Sequence, residues 1–324
     1  MYILLILLAF ILLSLSFFGS DSISNESGYL FKLRLTTIKA FIGITFFSYI
    51  ICEILSLFNL FSFNYVLISW ILINGLIIFL DKEKIKLNMF SIFSQEIIIP
   101  KKEKNILFFI FFLIILPLLL LAIFIAPNNW DSMAYHLPRV EHWIQNKNIY
   151  PYPTNIVRQL LTSPLSEYII ANFQILASTD SFSNLVQFAS FIFILFSATL
   201  FFSILKIGMK GQLFLLLALL SLPMMLFQAT TTQTDLLASF FFLSFILFAL
   251  LIIRTEANFK TNFIFLALSL TLGILTKYHI AIFAAPIVIY LLFDLIKKKN
   301  NVNIIFAVLI SCLTIAVILA PLFL

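Results

Sequence analysis

The sequence predicts an all-α fold: a polytopic transmembrane helical bundle of about ten spans, with an extracytoplasmic loop that contains interfacial helices. Of 324 residues, 62% are hydrophobic and only 10% are charged, whereas soluble domains carry about 25% charged residues. The apolar runs are continuous rather than alternating, which excludes a transmembrane β-barrel. Most Lys residues lie in short segments between these runs, as in the cytoplasmic loops of membrane proteins.

Ten apolar runs approach or exceed the length needed to cross about 30 Å of hydrocarbon. They cover residues 1–18, 38–57, 59–80, 106–126, 184–205, 212–228, 236–253, 263–276, 280–296 and 302–323. The runs at 263–276 and 280–296 are short, which leaves tilted or re-entrant segments open. The run at 1–18 lacks a basic n-region and is long for a signal peptide, so it is predicted to be a retained span.

Basic residues assign the two sides of the membrane. The loop at 81–105 carries six Lys residues, so the positive-inside rule predicts that it is cytoplasmic. Alternation of the spans then returns three further basic loops to the cytoplasm, at 206–211, 254–260 and 297–299. Three polar segments fall together on the outer face, at 127–183, 228–235 and 276–279.

The net charge of +6 does not indicate nucleic-acid binding, because the basic residues are explained by these loops. The cysteines, Cys52 and Cys312, lie far apart inside apolar runs. They are predicted to be buried thiols rather than a disulfide or a metal pair.

The outer segment 127–183 is too long for a simple connection and too polar to span. "DSMAYHLPRVEHWIQN" predicts an interfacial helix in two parts, capped by Asp131 or Ser132 and interrupted at Pro138. "SPLSEYIIANFQILASTDS" predicts a second helix that starts near Pro164, with Ser163 as its cap.

The first of these helices carries most of the polar chemistry. Asp131, Tyr135 and Arg139 are spaced four residues apart, which predicts that they share one face. The alternative for Asp131 is a helix cap, and the alternative for His136 and His142 is a polar surface position. These two histidines are six residues apart, a poor spacing for one metal site.

Two further charges lie at the outer ends of later runs. Asp235 follows the polar stretch "QATTTQTD", and its simpler interpretation is a cap of the next span. Lys277 follows "LGILT", and its simpler interpretation is a side chain that extends from a span end to the membrane surface. A metal held by Asp131 with a remote group such as Asp235 stays open. Glu53, near the outer end of the second run, is interpreted as interfacial.

The stretch "NWDSMAYHLPRVEHWIQNKNIYPYPTNIVRQLLTSPLSEYIIANFQIL" strongly resembles the first outer loop of polyprenyl-phosphate-sugar-dependent glycosyltransferases. These multi-spanning enzymes form part of the GT-C superfamily, with protein O-mannosyltransferases and lipid A aminoarabinose transferases. "QATTTQTDLLASFFF" resembles their second acidic site, and "LGILTKYHIAIFAAP" resembles their later "TK" segment. The resemblance covers about 106–295.

The resemblance implies roles for individual residues. Asp131 takes the position of the catalytic acidic residue, which accepts a proton from the acceptor as it attacks the sugar. Asp235 takes the second acidic position, which holds the acceptor, a metal or the helix ends. Lys277 faces the donor phosphate. Many relatives have a small residue after this Lys, where this chain has Tyr278.

Five other residues complete the predicted site. Arg139 and Arg158 are candidate contacts of the donor phosphate, although neither matches a fixed family position. Tyr135, His136 and Glu167 are predicted to shape the cleft in the outer loop. The cofactor is unknown, and a divalent metal is left open.

The resemblance also divides the chain. Residues 1–105 are N-terminal spans of unknown role, and residues 106–324 form a GT-C-like catalytic core with the outer loop at 127–183. Relatives usually continue well beyond 324 residues, so the core is expected to be short at its C-terminal end.

The function expected from the resemblance is transfer of a sugar from a polyprenyl-phosphate carrier to a glycan, lipid or protein acceptor of the cell envelope. The protein is expected in the inner or plasma membrane among membrane lipids, with its active site facing outward and no nucleic-acid partner. The alternatives are a catalytically inactive fragment or paralogue and a lipid-linked-sugar transporter. Transport is disfavoured because the charged residues gather at one face.

Overall fold

The structure, a computed structural model, describes residues 2–18, 28–94, 99–254 and 258–297, together with 306–307, 310–311, 314 and 316. All regular structure in these ranges is helical, which confirms the predicted fold class. Most of the predicted run at 302–323, with Cys312 in it, lies outside the described residues, as do Lys298 and Lys299.

The helices of the first half lead into the outer segment. They are α1 (Leu4–Phe18), α2 (Tyr29–Leu57), α3 (Phe63–Ser94), α4 (Lys101–Ile110), α5 (Leu116–Phe124), α6 (Leu137–Asn146), α7 (Arg158–Leu161) and α8 (Leu165–Ala177). A π-helical turn, Phe111–Ile115, joins α4 to α5, and a second, Ser132–His136, leads into α6.

The helices of the second half return through the membrane. They are α9 (Leu185–Ile204), α10 (Met209–Leu220), α11 (Pro223–Gln228), α12 (Asp235–Arg254), α13 (Phe259–Thr276) and α14 (Ile280–Lys297).

Seven helical stretches in the described ranges are long and apolar enough to cross a membrane, compared with the ten runs predicted. They are Tyr29–Leu57, Phe63–Ile92, Lys101–Phe124, Leu185–Ile204, Asp235–Arg254, Phe259–Thr276 and Ile280–Lys297. The run at 1–18 forms a shorter helix, α1. The run at 212–228 is broken between α10 and α11, because Pro223 has no N–H and holds Leu222 in an extended conformation.

The segment predicted as a loop from residue 81 is helical as far as Ser94. The backbone departs from helical geometry only at Asp81. The Asp81 carboxylate accepts hydrogen bonds from Ser16 and Lys84, each at 2.6 Å. Asn88 donates to the carbonyl of Leu15. The polar half of α3 therefore packs along α1, and this packing explains why it stays helical.

The basic ends of the spans lie together, as the sequence predicts. Arg254, at the end of α12, donates to the carbonyl of Ile204, at the end of α9. Tyr29, at the start of α2, donates to the carbonyl of Ile92 in α3. We call this side the basic end; it includes Lys206 and Lys210 of the α9–α10 connection.

The outer segment folds into the protein instead of lying along its surface. In α8, 11 of 13 residues are buried, so this helix leaves no apolar stripe for lipid. In α6, Val140 and Trp143 are buried while Glu141 is exposed, so this helix is amphipathic. Helix α2 packs against α8, α9 and α13, so the N-terminal spans share one body with the later helices.

A buried amide holds α8 against α2 and α3. The Asn172 side chain accepts a hydrogen bond from Trp70 Nε1 at 3.0 Å and donates to the carbonyls of Tyr168 and Ser48. The Tyr168 hydroxyl donates to Glu53 at 3.1 Å. Glu53 is therefore a buried packing residue and not the interfacial group that the sequence predicts.

Replacing this amide should weaken the attachment of α8. We expect Asn172→Ala to lower the free energy of unfolding by about 1–3 kcal/mol, because the buried Trp70 N–H loses its acceptor. Thermal unfolding in detergent measures the effect. Asn146→Ala, at an exposed position, is the matched control. Equal melting temperatures for the two variants would contradict this account of the packing.

Candidate functional site

The first outer segment and the loop before α12 are joined by hydrogen bonds. Ser132 Oγ accepts from Thr232 Oγ1 at 2.6 Å, and both side chains are fully buried. Gln233 Nε2 donates to Asp131 Oδ2 at 3.3 Å. Two of the polar segments that the sequence predicts on one face are therefore in direct contact.

The third polar segment joins the site through an ion pair. Lys277 Nζ contacts Asp235 Oδ1, and Gln228 Nε2 donates to Asp235 Oδ2 at 3.3 Å. Lys277 therefore has a specific partner and is not simply extended to the membrane surface. We call Asp131, Gln233, Asp235, Lys277 and Arg158 the polar cluster.

Neither aspartate of the polar cluster acts as a helix cap. Asn129 Oδ1 accepts from the Ser132 amide at 2.7 Å, while Asp131 is itself helical and makes no capping bond. Helix α12 begins at Asp235, and Gln187 Oε1 accepts from the Leu236 amide at 3.1 Å. The simpler interpretations of both aspartates are thus wrong, and their carboxylates face other partners.

The Asp131 carboxylate lies between polar side chains at a partly open position. Its side chain is 30% exposed, and Oδ1 is 3.7 Å from Arg158 Nη1. The Tyr135 side chain lies near the same carboxylate. Burial, together with the charge of Asp131, raises the pKa of Tyr135 to about 12. Tyr135 therefore stays protonated near neutral pH, and its hydroxyl is a candidate hydrogen-bond donor to Asp131.

Arg139 does not share the face of Asp131, in contrast to the prediction from spacing. The π-helical turn Ser132–His136 widens the helix immediately before Pro138, and such a turn removes the four-residue alignment. Arg139 is buried and donates to the carbonyl and hydroxyl oxygens of Thr162 at 2.8 and 3.0 Å. Its guanidinium also lies over the Trp143 ring, 4.6 Å from the centroid.

The segment that carries Asp131 contacts a buried carboxylate, that of Glu167. Glu167 is fully buried; its Oε1 is 2.8 Å from His136 Nδ1 and 3.7 Å from Arg139 Nη1. Burial raises the pKa of the Glu167 carboxyl, but the charge and hydrogen bond of His136, with the charge of Arg139, lower it more. The pKa of Glu167 therefore lies below its usual value. His136 is also buried, so its surface alternative is wrong.

An aromatic cleft adjoins the polar cluster. It has a volume of about 120 Å³. Aromatic rings form much of its wall: those of Trp143, Tyr150, Tyr152, Tyr168 and Tyr278. Arg139 and Gln159 contribute polar groups, and Gln159 Nε2 donates to the Ala134 carbonyl at 2.9 Å. Tyr278 and Gln159 are the chain neighbours of Lys277 and Arg158, which connects the cleft to the cluster.

The donor set of the polar cluster does not suggest a metal centre of the usual kind. In the part of the chain that the structure describes, no three His, Cys, Asp or Glu side chains are grouped to hold a metal ion. Both Asp235 oxygens already contact nitrogen groups, those of Lys277 and Gln228.

The family comparison agrees with this arrangement. Residues 162–322 match the model of the family described as dolichyl-phosphate-mannose-protein mannosyltransferase. This match, over just under half of the chain, supports a GT-C superfamily membrane glycosyltransferase. No curated protein and no solved structure matches the chain.

The matched range contains part of the site. Glu167, Asp235 and Lys277 lie inside it. Asp131 and Arg158 lie before it, and they join the site through the contacts described above. The structure thus brings Asp131, Arg158, Asp235 and Lys277 into one region, while the roles of these residues stay predictions.

Sequence reasoning missed the amides that connect this region. Gln228 and Gln233 lie in the stretch "QATTTQTD", which was recognised as polar, but only Asp235 was selected from it. Asn129 and Gln187 were not singled out. An Asn or Gln side chain just before a helix is the signal that points to such a role. Asn129 fits this signal, because its side chain accepts from the backbone N–H of Ser132, three residues later.

Removing the Glu167 charge should destabilise the site. We expect Glu167→Gln to lower the free energy of unfolding by about 3–5 kcal/mol, as when one partner of a buried ion pair is removed. The folded pKa of Glu167 is lowered, so its contribution is present above its ordinary pKa and is lost as pH falls through the folded value. The difference between wild type and variant should therefore shrink only below about pH 4.5, the usual Glu value.

Chemical unfolding in detergent at several pH values measures this difference. The exposed Glu141 gives the control variant Glu141→Gln, which should change stability by less than about 0.5 kcal/mol. A Glu167→Gln protein as stable as this control at pH 7 would show that the buried pair does not hold the site together.

Proposed function

We propose that the chain transfers a sugar from a polyprenyl-phosphate carrier to an acceptor at the membrane face opposite the basic end. The observation that carries this proposal is the meeting of Asp131, Asp235, Lys277 and Arg158 in one region. It supplies a base and two cations at one end of an apolar bundle, where a lipid-linked donor and a water-side acceptor meet. The family match supports glycosyl transfer in general.

Asp131 is the proposed general base. Its carboxylate is partly exposed, so an acceptor hydroxyl has access to it. A hydrogen bond from Gln233 orients it, and the nearby Tyr135 hydroxyl is a further candidate donor. As the acceptor oxygen forms a bond to the anomeric carbon, its proton passes to Asp131. The bond from that carbon to the phosphate oxygen breaks, and the polyprenyl phosphate leaves with the electron pair.

Lys277 and Arg158 are the proposed contacts of the donor phosphate. The Lys277 side chain is 26% exposed and that of Arg158 is 69% exposed, so both have room to receive a ligand. Negative charge grows on the phosphate as the sugar leaves, and charge-assisted hydrogen bonds stabilise it. Asp235 holds Lys277 in place before the donor arrives. Arg139, already bonded to Thr162, is proposed only as a wall of the cleft.

The aromatic cleft is the proposed position of the transferred sugar. The C–H face of a sugar ring is apolar and weakly positive, and it packs well on the negative face of an aromatic ring. Tyr150 and Tyr278 are the accessible rings of the cleft. Buried Tyr168 and Trp143 form its base. Because Tyr278 follows Lys277 directly, a sugar in the cleft stays close to a phosphate at Lys277.

The basic residues indicate on which side of the membrane the reaction takes place. The basic end holds Lys206, Lys210 and Arg254, so the positive-inside rule assigns it to the cytoplasm. The polar cluster then faces outward from an inner or plasma membrane, and the acceptor is a glycan, lipid or protein of the cell envelope.

Substituting the base should separate binding from transfer. We expect Asp131→Asn to retain the polyprenyl-phosphate sugar but to transfer it about 10²–10⁴ times more slowly, because the acceptor proton has no base. Lys277→Ala should instead lose the bound lipid. Mass spectrometry of lipids in the gently purified protein measures retention, and isolated membranes that contain native donor and acceptor measure transfer.

Two exposed residues give matched controls. Asp180→Asn and Lys147→Ala change the same charges away from the polar cluster, and both should resemble wild type. All variants must also elute in detergent as a single folded species, as wild type does. If wild-type protein carried only bulk phospholipid, or if Asp131→Asn transferred the sugar at the wild-type rate, the proposal would be wrong.

A further inference from the structure

A charged side chain lies in the first turns of α2, outside the polar cluster. Arg34 is five residues after the start of this helix at Tyr29, about 7.5 Å along the helix axis, and four residues before the predicted apolar run at 38–57. It is on the basic end, because Tyr29 contacts Ile92 there. Charges at such positions are costly in lipid and usually have a specific partner.

The protein satisfies only part of this guanidinium. Arg34 Nη1 donates to Gln212 Oε1 at 2.8 Å, and Nε donates to the Leu30 carbonyl at 3.2 Å. Gln212 is itself fixed, since its amide donates to the Ile207 carbonyl at 3.0 Å. A guanidinium has five N–H donors. The structure gives the remaining donors of Arg34 no acceptor in the described ranges, and it gives Arg34 no acidic partner there.

Arg34 and Gln212 line an apolar groove of about 330 Å³ between α2, α4, α9 and α10. The walls come from residues of all four helices, among them Leu33, Ile110, Phe111, Phe196, Leu213 and Leu216. Arg34 is the charged residue of this lining. The groove thus combines a long apolar surface with one cation near the basic end of the bundle.

We propose that this groove binds an anionic glycerophospholipid. Its phosphodiester accepts hydrogen bonds from the free N–H groups of Arg34, and an acyl chain lies along the apolar walls. Charge complementarity selects the headgroup, because the guanidinium matches a phosphate in geometry and charge. The position on the basic end agrees, because anionic lipids gather where basic residues flank the spans. The site is independent of the proposed sugar transfer.

Competitive lipid binding tests this proposal. The probe is an equimolar mixture of phosphatidylglycerol and phosphatidylcholine, added to delipidated full-length protein. Native mass spectrometry counts the retained lipids. We expect wild type to retain one phosphatidylglycerol in preference, and Arg34→Gln to retain it about 10–100 times less well, as for loss of charge-assisted hydrogen bonds.

Two further variants separate the groove from general charge. Lys210→Gln removes an exposed charge on the same end and should not change the preference. Leu216→Trp fills the groove and should lower the retention of both lipids. Equal retention by Arg34→Gln and wild type would overturn the proposal. So would a groove occupied by polyprenyl phosphate or by a second copy of the chain, each of which has a distinct mass.

Discussion

The burial of the Glu167 carboxylate is the constraint on which the site depends. A buried charge is stable only if nearby groups neutralise and hydrogen bond to it. Here His136 hydrogen bonds to it and Arg139 supplies a nearby positive charge, and both belong to the segment that carries Asp131. Helix α8, which carries Glu167, therefore holds that segment in place. The buried amide of Asn172 in turn fixes α8 to α2 and α3, so the N-terminal spans support the position of Asp131.

The fold could be predicted from the sequence as far as hydrophobicity alone decides it. Continuous apolar runs gave the helical class and most of the spans, and the basic residues correctly grouped the ends of the helices. Interactions between distant segments could not be read in this way. The helical course of α3 beyond Asp81 depends on contacts with α1. The complete burial of α8 depends on surrounding helices that a local pattern does not reveal.

The sequence indicated several residues of the candidate site but not how they are arranged. The sequence selected Asp131, Asp235 and Lys277 and placed them on one side, and the structure brings them into one region. The spacing argument was wrong for Arg139, because it assumed a regular α-helix where a π-helical turn precedes Pro138. The wider turn of a π-helix cannot be detected from the spacing of residues in the sequence. The capping role predicted for Asp131 or Ser132 belongs to Asn129, because backbone geometry decides which of several neighbouring polar side chains reaches the free N–H group.

The most direct measurement of the central claim is an experimental structure of the protein with polyprenyl phosphate bound. The account predicts the phosphate within about 3 Å of Lys277 Nζ, the usual length of a charge-assisted hydrogen bond. It also predicts that Arg158 and Asp131 border the same ligand, with the aromatic cleft on the side of Tyr278. A phosphate bound away from Lys277 would contradict the assignment of this region as the donor site. So would a bound lipid that makes no contact with the polar cluster and leaves the Lys277–Asp235 ion pair unchanged.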